Sequence, residues 1–316
     1  MKTVLITGGT GMVGRRLTDL LIDRGYRVIW LSRYRDLNAD IPTYRWDYRK
    51  NEVDLDAIEQ ADAIIHLAGS NLGEGAWTES KKKQIVESRV RTAELLLDRL
   101  QSTGRMPDAF ISASATGYYG LCVSERILNE RDIFAENDFL SVTCSRWEDA
   151  AFSFNEELGI RMVVVRTGFI LSGESKAFKK MVLPTRLGVG SPLGSGRQYL
   201  SWIHLEDLCR LYIQALEDTT MQGVYNAVAP EYITNRGFMR TLAKVMGKPF
   251  FFPAVPAFLL RIVMGEAADM VLSGSRISSQ KIRDTGFRFL YDTAEKAIRA
   301  SLMSAAGNNE GGKAKE

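Results

Sequence analysis

Thr7-Gly8-Gly9-Thr10-Gly11-Met12-Val13-Gly14 stands directly behind the apolar run Val4-Leu5-Ile6. It precedes a segment, Gly14 to Arg24, in which Leu17, Leu20 and Leu21 recur at helical spacing. The stretch therefore reads as strand, tight turn and helix. Glycines at 8, 11 and 14 each have a task there: turning the chain, letting a ligand approach the backbone, and packing the helix close to the strand. The helix start then offers free N–H groups and the positive end of its dipole to phosphate. In this context the spacing predicts a dinucleotide site built from Gly8, Thr10, Gly11, Met12, Val13 and Gly14.

Outward from this turn, short apolar runs alternate with helical patterns. Strands are expected at Val28 to Leu31, Ala63 to Leu67, Ala109 to Ser112 and Met162 to Val165. Helices are expected at Glu79 to Leu100 and Phe139 to Leu158. That alternation predicts an α/β fold with a parallel, doubly wound sheet covered on both faces. After about Gly168 the pattern changes. Segment 183–203, rich in Gly, Pro and Ser, reads as loops around a cleft. Helices follow at 206–217, at 235–246 with Asn235 as cap, and at Ala257 to Met264. We expect a dinucleotide-binding domain over 1–168, a smaller substrate lobe over 169–303 interwoven with the sheet edge, and an unstructured tail over 304–316.

The end of the second strand chooses between cofactors. An acidic residue there would bind a ribose 2′-hydroxyl. The sequence has Leu31-Ser32-Arg33-Tyr34-Arg35 instead, so Arg33, Arg35 and Ser32 can receive a 2′-phosphate, and NADP is expected. His66-Leu67-Ala68-Gly69 closes a later strand, with small residues that let a cofactor pass near the backbone; His66 itself reads as structural.

Composition excludes several other classes. A net charge of +3 is too small to argue for nucleic acid or an anionic membrane. There is no apolar run long enough to span a bilayer, and Val4-Leu5-Ile6, followed by glycines, is expected to be a buried strand and not the apolar segment of a leader. Three scattered cysteines and two histidines give no metal spacing and read as reduced thiols of a cytoplasmic protein.

Several longer segments carry a family likeness. They include Thr7 to Gly14, His66 to Gly69, Trp77 with Glu87-Ser88-Arg89, Ser112 to Gly120, Trp147-Glu148, Gly194-Ser195-Gly196, Trp202-Ile203-His204 and Tyr225 to Pro230. Together they resemble the extended, sugar-nucleotide-epimerase-like branch of the short-chain dehydrogenase/reductase superfamily, and within it a poorly characterised epimerase-like subfamily. The resemblance covers nearly the whole chain. It implies a Rossmann core of six or seven parallel strands and a small C-terminal substrate lobe. It also implies that Ser32, Arg33, Leu67, Ala68 and Arg89 line an NADP site, beside the small strand-end residue Gly69 read above as part of it.

One departure from that family is decisive for mechanism. The superfamily works with a Tyr-x-x-x-Lys pair on the helix that here spans 139–158. Aligning Glu148 with the usual helix glutamate puts Leu140 at the tyrosine position and Cys144 at the lysine position. The family's catalytic serine falls near Ala115, between Ser114 and Thr116. Substitutes for the missing groups are Tyr118, which could act as general acid, and Ser114. Tyr118 and Tyr119 could equally form an aromatic wall, Cys144 reads as packing, and His204 either faces substrate or caps a loop. Trp77, Tyr118 and Trp202 to His204 would line the cleft, and Arg186, Gly194, Gly196 and Arg197 could hold an anionic group. Two functions follow: an NADP-dependent oxidoreductase or epimerase-like enzyme acting on a small molecule, or a catalytically silent NADP-binding sensor or regulatory protein.

Overall fold

The computed structural model describes residues 1–34, 40–73, 75–133 and 138–311; Arg35 lies outside them. The first half of the chain runs β1 (Thr3–Thr7), α1 (Met12–Asp23), β2 (Arg27–Ser32), β3 (Thr43–Asp47), β4 (Glu52–Val53), α2 (Leu55–Gln60), β5 (Ala63–His66) and α3 (Glu79–Thr103). It continues through β6 (Ala109–Ala115), a 3₁₀ turn at Thr116–Tyr119, β7 (Val123–Leu128), α4 (Phe139–Leu158) and β8 (Arg161–Thr167). The second half holds β9 (Phe169–Leu171), α5 (Lys176–Arg186), β10 (Trp202–His204), α6 (Leu205–Glu217), β11 (Gly223–Ala227) and α7 (Asn235–Val245). Beyond them lie α8 (Ala257–Met264), a 3₁₀ turn at Gly265–Ala268, α9 (Asp269–Leu272), β12 (Gly274–Ile277), α10 (Gln280–Asp284) and α11 (Ala294–Gly311).

The main sheet has the order β11-β8-β6-β5-β1-β2-β3-β4. All pairings are parallel except the short edge strand β4. Side-chain alternation explains its two cores. Val4 and Ile6 join Leu17 and Leu21 of α1 and Leu208 and Leu211 of α6 on one face. Leu5 joins Leu96 and Leu100 of α3 and Phe154 of α4 on the other. Both faces are covered, as the near-continuous apolar strands require. The chain runs outward from β1 through β2 and β3, then returns to the other side through β5, β6, β8 and β11. The switch point therefore lies between β1 and β5, where sheets of this kind take their ligands.

A third cluster, including Leu171, Phe178, Trp202, Phe238, Leu242 and Ile298, joins α5, α7 and α11 over the small β9-β10 pair. Three local readings are corrected here. Residues 176–186 are helical despite Pro184, so the Gly/Pro-rich loop begins only after Arg186. Thr234, not Asn235, caps α7: its hydroxyl accepts from Gly237 N, while Asn235 Oδ1 accepts from Leu193 N. Helix α11 runs past Ser304 to Gly311, where the sequence suggested a tail. Its turn at Ser301 to Ala305 abuts Gly173, where a Cβ would come within 2.6 Å of Ser301 O, so that turn is closely packed; residues 312–316 of the expected tail lie outside the described residues.

Candidate functional site

β1, β2 and β5 end side by side: Thr7 is level with Leu31 and His66, and His66 is level with Ser112 of β6, which continues to Ala115. The predicted cofactor residues Gly8 to Gly14, Ser32, Arg33 and Leu67 to Gly69 follow these strand ends and so gather on one edge.

The glycine turn is close-packed on its inner side only. Gly8 has φ +72°, and a Cβ there would stand 3.0 Å from the Leu67 carbonyl. At Gly14 a Cβ would reach Gly8 O at 2.5 Å and Gly9 Cα at 2.6 Å. At Gly11 it would meet only Gly8 O, at 3.2 Å, so that Cβ would project away from the protein. Helix α1 begins with no side-chain cap and no acidic residue in its first turn. This leaves an uncompensated positive dipole end beside the glycines, a cradle suited to pyrophosphate.

Thr7 fixes the neighbouring strand. Its hydroxyl accepts from Leu67 N at 3.2 Å and Ala68 N at 3.1 Å, so its proton goes to His66 Nδ1, 2.8 Å away. His66 Nε2–H then donates to Thr92 Oγ1 at 3.2 Å. Burial holds His66 down at about 4, so it is a neutral spacer between two threonines, as expected.

Arg33 is exposed and, among the described residues, has no partner. Arg89 is buried, and among the described residues its guanidinium donates to carbonyls alone: Ile85 O at 2.9 Å and Ser70 O at 3.2 Å. It lies 4.9 Å from the centroid of Trp147 and would be 3.0 Å from a Cβ on Gly69. Burial pulls it down to about 10, and no carboxylate among the described residues pairs with it. A buried guanidinium facing a cofactor strand without an acidic partner fits an anionic or hydroxyl-rich ligand.

The groups around the catalytic positions form a second, self-contained network. Leu140 and Cys144 are buried on α4 against the turn after β6; a Cβ on Gly117 would be 3.4 Å from Leu140 Cβ and 3.5 Å from Cys144 Sγ. Burial, assisted by Glu148, pushes the Cys144 thiol up to about 12, so it packs as a small apolar group. Ser114 Oγ donates to Glu148 Oε1 at 2.6 Å. Glu148 also takes a two-point pair from Arg166, at 2.9 and 2.8 Å, with both side chains buried. Burial opposes the Arg166 charge, but the bonds and charge of Glu148 outweigh it and raise the guanidinium above its usual range. Arg166 further donates to Tyr119 Oη at 3.1 Å, and Tyr119 donates to Asn226 Oδ1 at 2.8 Å. Tyr119 is pushed up to about 12 by burial, partly offset by Arg166. Tyr118 stands half-buried with its ring over the same guanidinium, 3.3 Å from centroid to Cζ. Its hydroxyl has no hydrogen-bond partner among the described residues.

Other predicted residues fall elsewhere. Trp77 packs with Ile85, Leu140 and Ala267, whereas Trp202 lies in the third core. His204 caps α6 by accepting from Glu206 N at 3.2 Å, and its ring lies 3.9 Å from Tyr291. Arg186 and Arg197 are exposed, with no partner among the described residues. Arg166 and Asn226 were missed as site residues. Their signal was a polar residue directly following a buried run, Val163 to Val165 and Tyr225.

Among the described residues no group of three or more His, Cys, Asp or Glu could hold a metal ion, and no helix is long and apolar enough to cross a membrane. Residues 4–227 match the model of the NAD dependent epimerase/dehydratase family, and residues 255–301 match a domain of unknown function (DUF1731). The chain is 34% identical to the epimerase family protein YfhF of Bacillus subtilis over 93% of its own length and 96% of that protein. It is also 34% identical to mouse epimerase family protein SDR39U1, over 94% and 98%. A crystal structure of human SDR39U1 (isoform 2) with NADPH superposes with a TM-score of 0.84 at 32% identity, covering 95% of this chain and 99% of that one. UDP-glucose 4-epimerase of Thermotoga maritima shares the fold, with a TM-score of 0.76 at 17% identity and coverage of 97% and 99%. On the family match and these relatives, the chain belongs to the NAD dependent epimerase/dehydratase family, as one of its epimerase family proteins.

Proposed function

We propose that this protein binds NADP(H) along the edge formed by β1, β2 and β5 and acts as an oxidoreductase or epimerase-like enzyme on a small molecule. The observation that carries this reading is Arg89, a buried cation without an acidic partner beside Gly69. The NADPH of the human relative supports the choice of cofactor. The turn from Gly8 to Gly14, with Thr10, Met12 and Val13, would hold the pyrophosphate. Ser32 and Arg33 would hold the 2′-phosphate, and Leu67, Ala68, Gly69 and Arg89 the ribose side of the cofactor. Bound NADP(H) would supply or accept the hydride. Tyr118 is our proton donor, because its hydroxyl is the tyrosine hydroxyl beyond β6 that the buried network does not engage. Ser114 serves behind it, holding Glu148. Residues 169–303 would supply the substrate walls. The free thiols Cys122, Cys144 and Cys209 support a reducing compartment such as the cytoplasm.

The test is a screen of carbonyl compounds and nucleoside diphosphate sugars for oxidation of NADPH. On the substrate so found, Tyr118→Phe should lower kcat by about 10² to 10⁴ and leave NADPH affinity unchanged. A kinetically silent Tyr118→Phe removes Tyr118 from this role.

A specific feature favours the silent sensor as second reading. Leu140 and Cys144 are buried apolar residues where the family's tyrosine and lysine belong, and Ser114 has committed its proton to Glu148. Failure of every substrate class, with NADPH still bound, would make that reading the leading one.

A further inference from the structure

Helix α8, Ala-Phe-Leu-Leu-Arg-Ile-Val-Met, buries none of its residues. A segment this apolar leaves water only against another apolar phase, so its exposure calls for a partner. The neighbouring surface extends the same face. Gly188, just beyond α5, stands 3.8 Å from Pro249 Cγ as measured from a Cβ placed on the glycine. Leu193 bridges to Val255, and Val255 N donates to Pro192 O at 2.8 Å. The end of α5 and the approach to α8 therefore lie side by side. Together they expose Leu183, Leu187, Phe251, Phe258, Ile262 and Val263, each between 60% and 83% accessible.

Charge within the two segments that form this face is one-sided, although Glu174, Glu266 and Asp269 flank them. Segments 176–191 and 244–264 contain Lys176, Lys179, Lys180, Arg186, Lys244, Lys248 and Arg261, and no aspartate or glutamate. Arg261 pairs with Asp269 and Lys244 with Glu295. Lys179, Lys180, Arg186 and Lys248 have no partner among the described residues. The overall charge of +3, on which a membrane was discounted from the sequence, conceals this concentration. We infer that α8, the loop from Pro249 to Pro256 and the end of α5 form a docking face for an anionic lipid bilayer. The phenylalanines and aliphatic side chains would enter the headgroup boundary while the unpaired lysines and arginine meet lipid phosphates. This peripheral attachment needs no membrane-spanning helix. Exposed apolar residues alone would suit a second protein copy equally; a rim of like-charged cations opposes self-association and favours an anionic partner.

Co-sedimentation of the full chain with vesicles of phosphatidylcholine alone, and with phosphatidylglycerol added, tests this. Binding is expected only to the anionic vesicles and should fall with added salt. The double variant Lys179→Glu, Lys180→Glu, and separately Ile262→Ser, should each weaken it about tenfold or more with unchanged circular dichroism. No binding to anionic vesicles overturns the inference. So does a concentration-dependent dimer that Ile262→Ser dissolves, which would assign the face to a second copy. Equal binding by the double lysine variant would remove the anionic component and overturn it as well.

Discussion

Arg166 lies under the ring of Tyr118, 3.3 Å from its centroid, while its guanidinium is held at two points by Glu148. The position of Tyr118 thus depends on an ion pair buried between β8 and α4. Removing one member leaves an uncompensated buried charge. Arg166→Met should lower unfolding free energy by about 3 to 5 kcal/mol. Urea denaturation checks it, and a change within experimental error would mean that the pair is solvated.

Histidine 66 sets a pH dependence with a definite sign. Its neutral form is held in the fold down to about 4, against 6.5 for a free imidazole. As pH falls below 6.5, the unfolded chain takes up a proton that the native state refuses, so stability is lost down to about pH 4. The loss assigned to this residue is about 3 kcal/mol. His66→Gln should flatten the decline in denaturation midpoint between pH 7 and pH 4.5. Identical pH profiles for the two proteins would assign the decline to other groups, His204 among them.

Two glycines of the turn should behave differently when given the same methyl group. Gly14→Ala drives a Cβ into Gly8 O and Gly9 Cα, and should cost about 1 to 3 kcal/mol of stability. Gly11→Ala finds open space beyond a single carbonyl contact, so its fold should persist. A larger Gly11→Val should block the approach of pyrophosphate and abolish NADPH binding with native circular dichroism. Native affinity in folded Gly11→Val would place the cofactor elsewhere.

The parts most legible in the sequence were those with strong local patterns. Helix α4 begins and ends at Phe139 and Leu158 as read, and α8 at Ala257 and Met264. The turn from Gly8 to Gly14 was evident because glycine spacing, strand and helix occur in one stretch. Strands β7 and β12 were not, because Val123–Leu128 pairs with Gly274–Ile277 across a long separation and neither alternates cleanly. Helix α5 was hidden by Pro184, although Met181 O still accepts from Thr185 Oγ1. The network around Arg166 was illegible for a related reason: its members lie on β6, the 3₁₀ turn after it, α4, β8 and β11, and only the fold brings them together. Exposure of α8 also ran against its sequence, since an apolar run of that kind ordinarily packs inside.

Arg33, exposed just beyond β2, is the residue proposed to receive the 2′-phosphate of NADP. Calorimetric titration of the wild-type chain with NADP and with NAD, repeated on Arg33→Asp, tests it directly. Wild type should bind NADP more tightly, by about tenfold or more for one charge-assisted phosphate contact. Arg33→Asp should lose that preference or reverse it. Equal affinity of the wild type for the two cofactors, or an unchanged NADP preference in Arg33→Asp, would contradict the account.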